Sequence, residues 1–155
     1  MPWSSRVSRS ALATQRLGQA LGRLLQAGDV IALIGELGAG KTCFVQGLAR
    51  GLGVPPEERV QSPTFTIVSE HAGRLPLYHL DLYRINARSE LDDLGLEQYL
   101  EGQGVAAVEW MDRFADLAPA DHLEVRLQIA GARRRTITAT PHGARSAELC
   151  QAWLG

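Results

Sequence analysis

Residues 35–42 read GELGAGKT, which meets the spacing G-x-x-x-x-G-K-[ST] at every fixed position. That pattern is suited to holding a polyphosphate. Gly35, Gly38 and Gly40, with Ala39 among them, let the backbone curl so that successive N–H groups face anionic oxygens. Lys41 would neutralise the β- and γ-phosphates, and the Thr42 hydroxyl would bind Mg²⁺. A helix opening at this point adds the positive end of its dipole. Of the 16 lysine and arginine residues in the chain, Lys41 alone is lysine. A sequence that otherwise uses arginine keeps a compact ammonium here, where a planar guanidinium fork would not fit. Cys43 follows and reads as a small helix residue rather than a nucleophile, although the helix N-terminus would favour its thiolate.

A phosphate loop of this kind also needs a carboxylate for the metal shell and a group that orients the attacking water. Glu109 ends the apolar run VAAVE at 105–109, where such a carboxylate is expected. Asp81, within LYHLDLYR at 77–84, is the second candidate. His79 shares a strand face with Asp81 and reads as structural. Trp110 either stacks near a nucleotide or packs in the core.

These residues need a scaffold. The apolar run at 29–34 predicts a buried strand leading into the loop. A helix is expected from 41 to 52, turning Val45, Leu48, Ala49 and Leu52 inward and ending at Gly53. An earlier helix spans 10–27, with Leu17, Leu21, Leu24 and Leu25 at helical spacing and Gly28 as its stop. Residues 64–70 and 75–83 read as an antiparallel hairpin turning near Gly73. Ser89 caps a short helix running to about 100, and 105–110 is a buried strand. Residues 123–129 alternate as a half-exposed strand does, 134–140 pair back onto it, and 144–154 form a closing helix. The order implies an α/β P-loop sandwich over residues 1–155, read as one domain, with a mixed, partly parallel sheet and antiparallel hairpin additions.

Composition excludes several classes. The net charge of −1 gives no global field for nucleic acid or membrane. No apolar run approaches the ~20 residues of a membrane span, and the N-terminus lacks a signal-peptide pattern. Two cysteines, Cys43 and Cys150, form no framework, so a reducing, cytoplasmic setting is expected. A guanine-reading NKxD motif would need a second lysine, which the chain lacks. No LSGGQ-like signature appears either, so adenine is the expected base.

Taken together, GELGAGKT (35–42), SPTFTIV (62–68), YHLDLYR (78–84), LGLEQYL (94–100) and VEW (108–110) resemble the bacterial TsaE family. The likeness is strong from about residue 10 to 110 and weaker through Arg133. It implies an ATPase, weak alone, that acts with two partner proteins of TsaB and TsaD type. These build the threonylcarbamoyl group onto adenosine 37 of tRNAs reading ANN codons, and tRNA would be met through that complex. By the resemblance, Lys41 and Thr42 are the phosphate and magnesium residues. Asp81 matches an aspartate linked to activity, and Glu109 the glutamate of the Mg²⁺ site. Ser62 and Thr64 belong to a switch-like loop facing the γ-phosphate. Trp110 lies beside the nucleotide, and Arg133 matches a late arginine near it. The family often has a second threonine where this chain has Cys43. Thr14 is the candidate for a base contact.

Two other functions fit parts of the pattern. A small-molecule or nucleotide kinase would need a lid, for which residues 133–135 are the only clustered arginines. A nucleotide-gated interaction module would hydrolyse ATP only incidentally. For the hydrolase no arginine finger stands out, and Arg84 and Arg133 are the candidates.

Overall fold

The computed structural model describes residues 4–155. Strand β1 (Ser4–Ser8) leads into helix α1 (Ala11–Gly22), whose Ser10 side chain accepts a hydrogen bond from the Ala13 N–H as an N-cap. Strand β2 (Val30–Ile34) precedes α2 (Lys41–Gly51), and the hairpin β3 (Val68–Ala72) and β4 (Pro76–Asp81) follows. Two short helices, α3 (Arg88–Leu94) and α4 (Leu96–Leu100), lead to β5 (Val105–Glu109). A 3-10 helix (Met111–Leu117), strands β6 (His122–Ile129) and β7 (Arg135–His142), and helix α5 (Ala144–Leu154) complete the chain.

The seven strands form one mixed sheet in the order β1-β7-β6-β2-β5-β4-β3. The inner strands β6, β2, β5 and β4 run parallel, and the outer pairs β1–β7, β6–β7 and β3–β4 are antiparallel. Helices cover both faces. Leu21, Phe44, Leu48 and Leu149 of α1, α2 and α5 pack on Leu33, Ala107 and Val125. Leu91, Leu96 and Leu100 of α3 and α4 pack on Ala32, Leu80 and Val108 opposite. This explains two sequence textures. Strands β2 and β5 lie under both layers and are apolar throughout apart from Glu109. Strand β6 is covered on one face only, so Leu123, Val125 and Leu127 alternate with Glu124, Arg126 and Gln128.

The structure corrects several expected boundaries. Helix α1 ends at Gly22, well before Gly28. The strand expected at 64–70 begins only at Val68, because residues 64–66 form a turn. The helix expected from Ser89 starts at Arg88 after Ala87, with no side-chain cap, and breaks at Gly95, whose φ of 72° closes α3. Trp110 lies outside β5, at φ 65°.

Helix α5 is capped from another element. Gly143 supplies no side chain, and Asp121, just before β6, accepts from the N–H groups of Arg145 at 2.8 Å and Ser146 at 2.9 Å. Partial burial raises the Asp121 pKa, but these hydrogen bonds outweigh it and leave the pKa below the ordinary carboxylate value. Asp121→Ala is expected to cost about 1 kcal/mol near neutral pH, as loss of a helix cap does. A carboxylate with a depressed folded pKa stabilises above its unfolded pKa and loses that contribution as pH falls through the folded one. Thermal melts of parent and variant should therefore converge on acidification.

Candidate functional site

The carboxyl ends of β2, β4 and β5 open onto one crevice, where ligands bind in open α/β sheets. The glycine loop spans the gap between β2 and α2. Gly40 stands at φ 103° as the N-cap of α2, a left-handed conformation that costs glycine little. Lys41 is 5% exposed. Its Nζ donates to the carbonyls of Gly35 and Glu36, the latter at 3.0 Å, and lies 4.1 Å from the centre of the Trp110 ring. Burial lowers the Lys41 pKa, and Glu109, Asp81, Asp112 and Glu36 pull it partly back.

The parallel register of β4 and β5 sets Asp81 directly beside Glu109. Thr42 Oγ1 donates to Glu109 Oε2 at 3.1 Å, and His79 Nε2 lies 2.6 Å from the same oxygen. Asp81 receives the Ser62 hydroxyl on Oδ2 and the Tyr83 N–H at 2.9 Å on Oδ1. A cavity of about 400 Å³ collects Gly38, Lys41, Thr42, Thr64, Asp81 and Glu109 along its wall. The candidate metal ligands there are the Thr42 hydroxyl and the Asp81 and Glu109 carboxylates, all oxygen, which suits Mg²⁺. Among the described residues no three His, Cys, Asp or Glu side chains are grouped to hold a metal unaided. Magnesium does not need such a cage, because it keeps waters and shares phosphate oxygens.

Backbone strain frames this cavity. Ile67, at φ 70°, is a β-branched residue in left-handed space, and Trp110, at φ 65°, is a bulky aromatic one. Each costs roughly 1–3 kcal/mol and persists only where neighbours impose it. At Ile67 the N–H donates to Pro63 O at 2.7 Å, and the carbonyl accepts the Asp81 N–H at 2.9 Å. The loop carrying Ser62 and Thr64 is thereby tied to the strand carrying Asp81. The Trp110 ring also packs against that of Tyr83 at a tilt of 44°, with ring centres 5.0 Å apart.

A second cavity of about 500 Å³ adjoins the first at Gly40 and Cys43, bounded by the start of α1, Ala39, Arg133 and Arg135. Arg133 lines it, but Arg135 makes the loop contacts, donating to Ala39 O at 3.2 Å and Gly38 O at 3.1 Å. Sequence reading missed Arg135, since nothing in three successive arginines marks the one that turns inward. Only the start of β7, with Arg135 opposite Ser8 and Ile129, sets it. Thr14 is buried, and its hydroxyl pairs with that of Ser8 at 2.7 Å. The Arg84 guanidinium lies over the exposed Phe65 ring at 4.9 Å. Burial raises the Cys43 thiol pKa, and nearby Arg135 offsets this only in part, opposite to the lowering that the helix N-terminus alone would give.

Arg135→Ala is expected to weaken nucleotide binding about tenfold, as loss of charge-assisted hydrogen bonds worth about 1.5–3 kcal/mol each predicts after relaxation of the loop. Calorimetric titration with ADP checks it.

A buried parallel strand, a glycine curl at a helix N-terminus, a buried lysine and a strand-end carboxylate bonded to the next hydroxyl define a P-loop nucleotide-binding protein. The family sequence model described as "Threonylcarbamoyl adenosine biosynthesis protein TsaE" matches residues 8–137. The chain belongs to the TsaE family. It is 45% identical over 132 residues to the tRNA threonylcarbamoyladenosine biosynthesis protein TsaE of Treponema pallidum, covering 85% of this chain and 96% of the relative. The protein of the same description in Bacillus subtilis is 44% identical over 139 residues, covering 89% and 85% respectively. The crystal structure of Bacillus subtilis YdiB superposes with a TM-score of 0.85 at 35% identity, over 98% of this chain and 94% of that one.

Proposed function

We propose that this chain is the ATP-binding and ATP-hydrolysing member of the machinery that forms N6-threonylcarbamoyladenosine in tRNA. Residues 1–155 act as one P-loop ATPase domain in the cytoplasm, slow alone and activated by partners of TsaB and TsaD type, with tRNA reached through that assembly. Among the described residues no helix is long and apolar enough to cross a membrane.

The observation that carries the reading is the Thr42–Glu109 hydrogen bond beside buried Lys41, in a chain of this family. The 400 Å³ cavity takes the triphosphate, and the neighbouring one takes ribose and base. Lys41 and the loop N–H groups stabilise charge on the β- and γ-phosphates. Thr42 and Glu109 hold the Mg²⁺, with Asp81 beside them. When bound there, Mg²⁺ would neutralise part of the phosphate charge. Asp81, held by Ser62 and the Tyr83 N–H, is placed with Thr64 to orient the attacking water. Among the described residues Arg84 lies over Phe65 and Arg135 is engaged by loop carbonyls. Slow basal turnover follows if a partner completes the stabilisation of the transition state.

The test is turnover of radiolabelled ATP with and without the purified partner complex. Turnover should rise on addition, and Glu109→Gln should keep nucleotide binding while losing hydrolysis by about 100-fold or more, as loss of a charge-stabilising group does. Unchanged turnover with no detectable partner binding would count against the proposal. A Glu109→Gln protein that still supports tRNA modification would favour the nucleotide-gated interaction module.

A further inference from the structure

We propose that His79 is a positioning residue for Glu109, an inference that rests on the metal-site reading of Glu109 given above. His79 lies in the middle of β4 and is fully buried. The parallel register sets it opposite Ala107, two residues before Glu109 on the same face of β5. Alanine's small side chain leaves the imidazole room to reach along the strand to Glu109.

The hydrogen bonds on Glu109 are one-sided. Oε2 takes both donors, His79 Nε2 at 2.6 Å and Thr42 Oγ1 at 3.1 Å. Oε1 accepts from no described residue and is not sealed from solvent, and Glu109 lines the phosphate-side cavity. The histidine thus fixes the inner oxygen and leaves the outer one available. Orientation matters here because Mg²⁺ and its retained waters demand near-ideal octahedral geometry.

The other imidazole nitrogen argues against a purely structural role. Nδ1 is buried with no hydrogen-bond partner among the described residues, an arrangement that costs about 1–3 kcal/mol. Leu77 and Leu80 are fully buried on the same strand, and stability alone would favour a third apolar side chain. What the imidazole provides in return is the Nε2 contact. Outer-shell partners of this kind are worth about 10–100-fold in metal affinity.

The experiment follows binding of a fluorescent ATP analogue as Mg²⁺ is titrated, for the parent chain, His79→Leu, His79→Gln and Glu109→Gln. The glutamine amide nitrogen can stand where Nε2 does. His79→Leu should raise the half-saturating Mg²⁺ concentration at least about tenfold while nucleotide affinity in EDTA changes less than about twofold, and His79→Gln should restore the Mg²⁺ requirement to within about threefold. A parental Mg²⁺ requirement in His79→Leu, with Glu109→Gln shifted, overturns the role of His79 and leaves the metal site standing. Equal losses with and without Mg²⁺, or a glutamine variant no better than leucine, also overturn it. A parental Mg²⁺ requirement in Glu109→Gln removes the reading of Glu109 itself. If circular dichroism shows His79→Leu unfolded, His79→Asn replaces it under the same expectations, since its amide is too short to reach Glu109.

Discussion

Lys41→Ala lowers the affinity for ATP at least about 100-fold and leaves the fold in place. The magnitude follows from two charge-assisted hydrogen bonds to phosphate oxygens at about 1.5–3 kcal/mol each, a loss of at least about 3 kcal/mol. No neighbour can compensate. The chain has no other lysine, and the Arg135 guanidinium is engaged by the carbonyls of Gly38, Ala39, Gly131 and Arg134. Lys41→Arg should not rescue binding, because the space around Nζ is taken by two carbonyls and the Trp110 ring, where a planar fork has no room. Stability is set by two opposed effects. Removing a buried ammonium relieves the desolvation that depresses its pKa. It also removes the cation balancing Asp81 and Glu109, which are adjacent across the sheet. The two effects oppose each other, each of order several kcal/mol, so they largely cancel. Calorimetry with a non-hydrolysable ATP analogue measures the first claim and a thermal melt the second. Tight binding by the alanine variant would remove the proposed phosphate site.

The loop was legible because its chemistry is contiguous: strand, glycines, lysine and threonine lie within 13 residues, from Val30 to Thr42. The buried strands β2 and β5 were legible for a similar reason, since unbroken apolar runs report cover on both faces. Features that depend on register were not. Strand β1 reads SSRVS, with one apolar side chain, and forms only because β7 offers it an edge. Residues 64–67 read TFTI and have strong strand propensity, yet they turn. The Ser62 hydroxyl on Asp81 and the bond from Asp81 N–H to Ile67 O outweigh local preference. His79 and Glu109 are 30 residues apart, and only the parallel pairing of β4 with β5 makes them neighbours. The resemblance singled out Arg133, which lines the cavity beside the glycine loop, whereas the inward turn of Arg135 needed the β6–β7 register.

Gly47→Ala is expected to destabilise the protein, although the same change in an isolated helix would stabilise it by about 1 kcal/mol. Helices α1 and α2 meet along a seam of glycines spaced four apart, Gly18 and Gly22 on one and Gly47 and Gly51 on the other. A Cβ at Gly47 would lie 2.1 Å from the Gln15 carbonyl oxygen, and one at Gly51 would lie 2.3 Å from that of Gln19. At Gly18 and Gly22 the nearest atoms are the Phe44 and Leu48 carbonyl oxygens, at 2.4 Å and 2.5 Å. The opposing atoms are helical backbone, so no rotamer change relieves the clash and the helices must separate. Overpacking of this kind costs about 1–3 kcal/mol and occasionally more, enough to exceed the propensity gain. With the propensity gain subtracted, a net loss of about 1–2 kcal/mol at roughly 2–4 °C per kcal/mol for a chain of this size should lower the melting temperature by about 2–8 °C. Nucleotide affinity should fall as well. Helix α2 carries Lys41 and Thr42 at its start, and the start of α1 lines the adjoining cavity, so separating the helices moves both walls of the site. Gly131→Ala is the control, since its nearest neighbour is the Arg134 Cβ at an ordinary 3.5 Å. A Gly47→Ala protein that melts with the parent and binds ATP equally well would show that the seam can open without moving the phosphate loop.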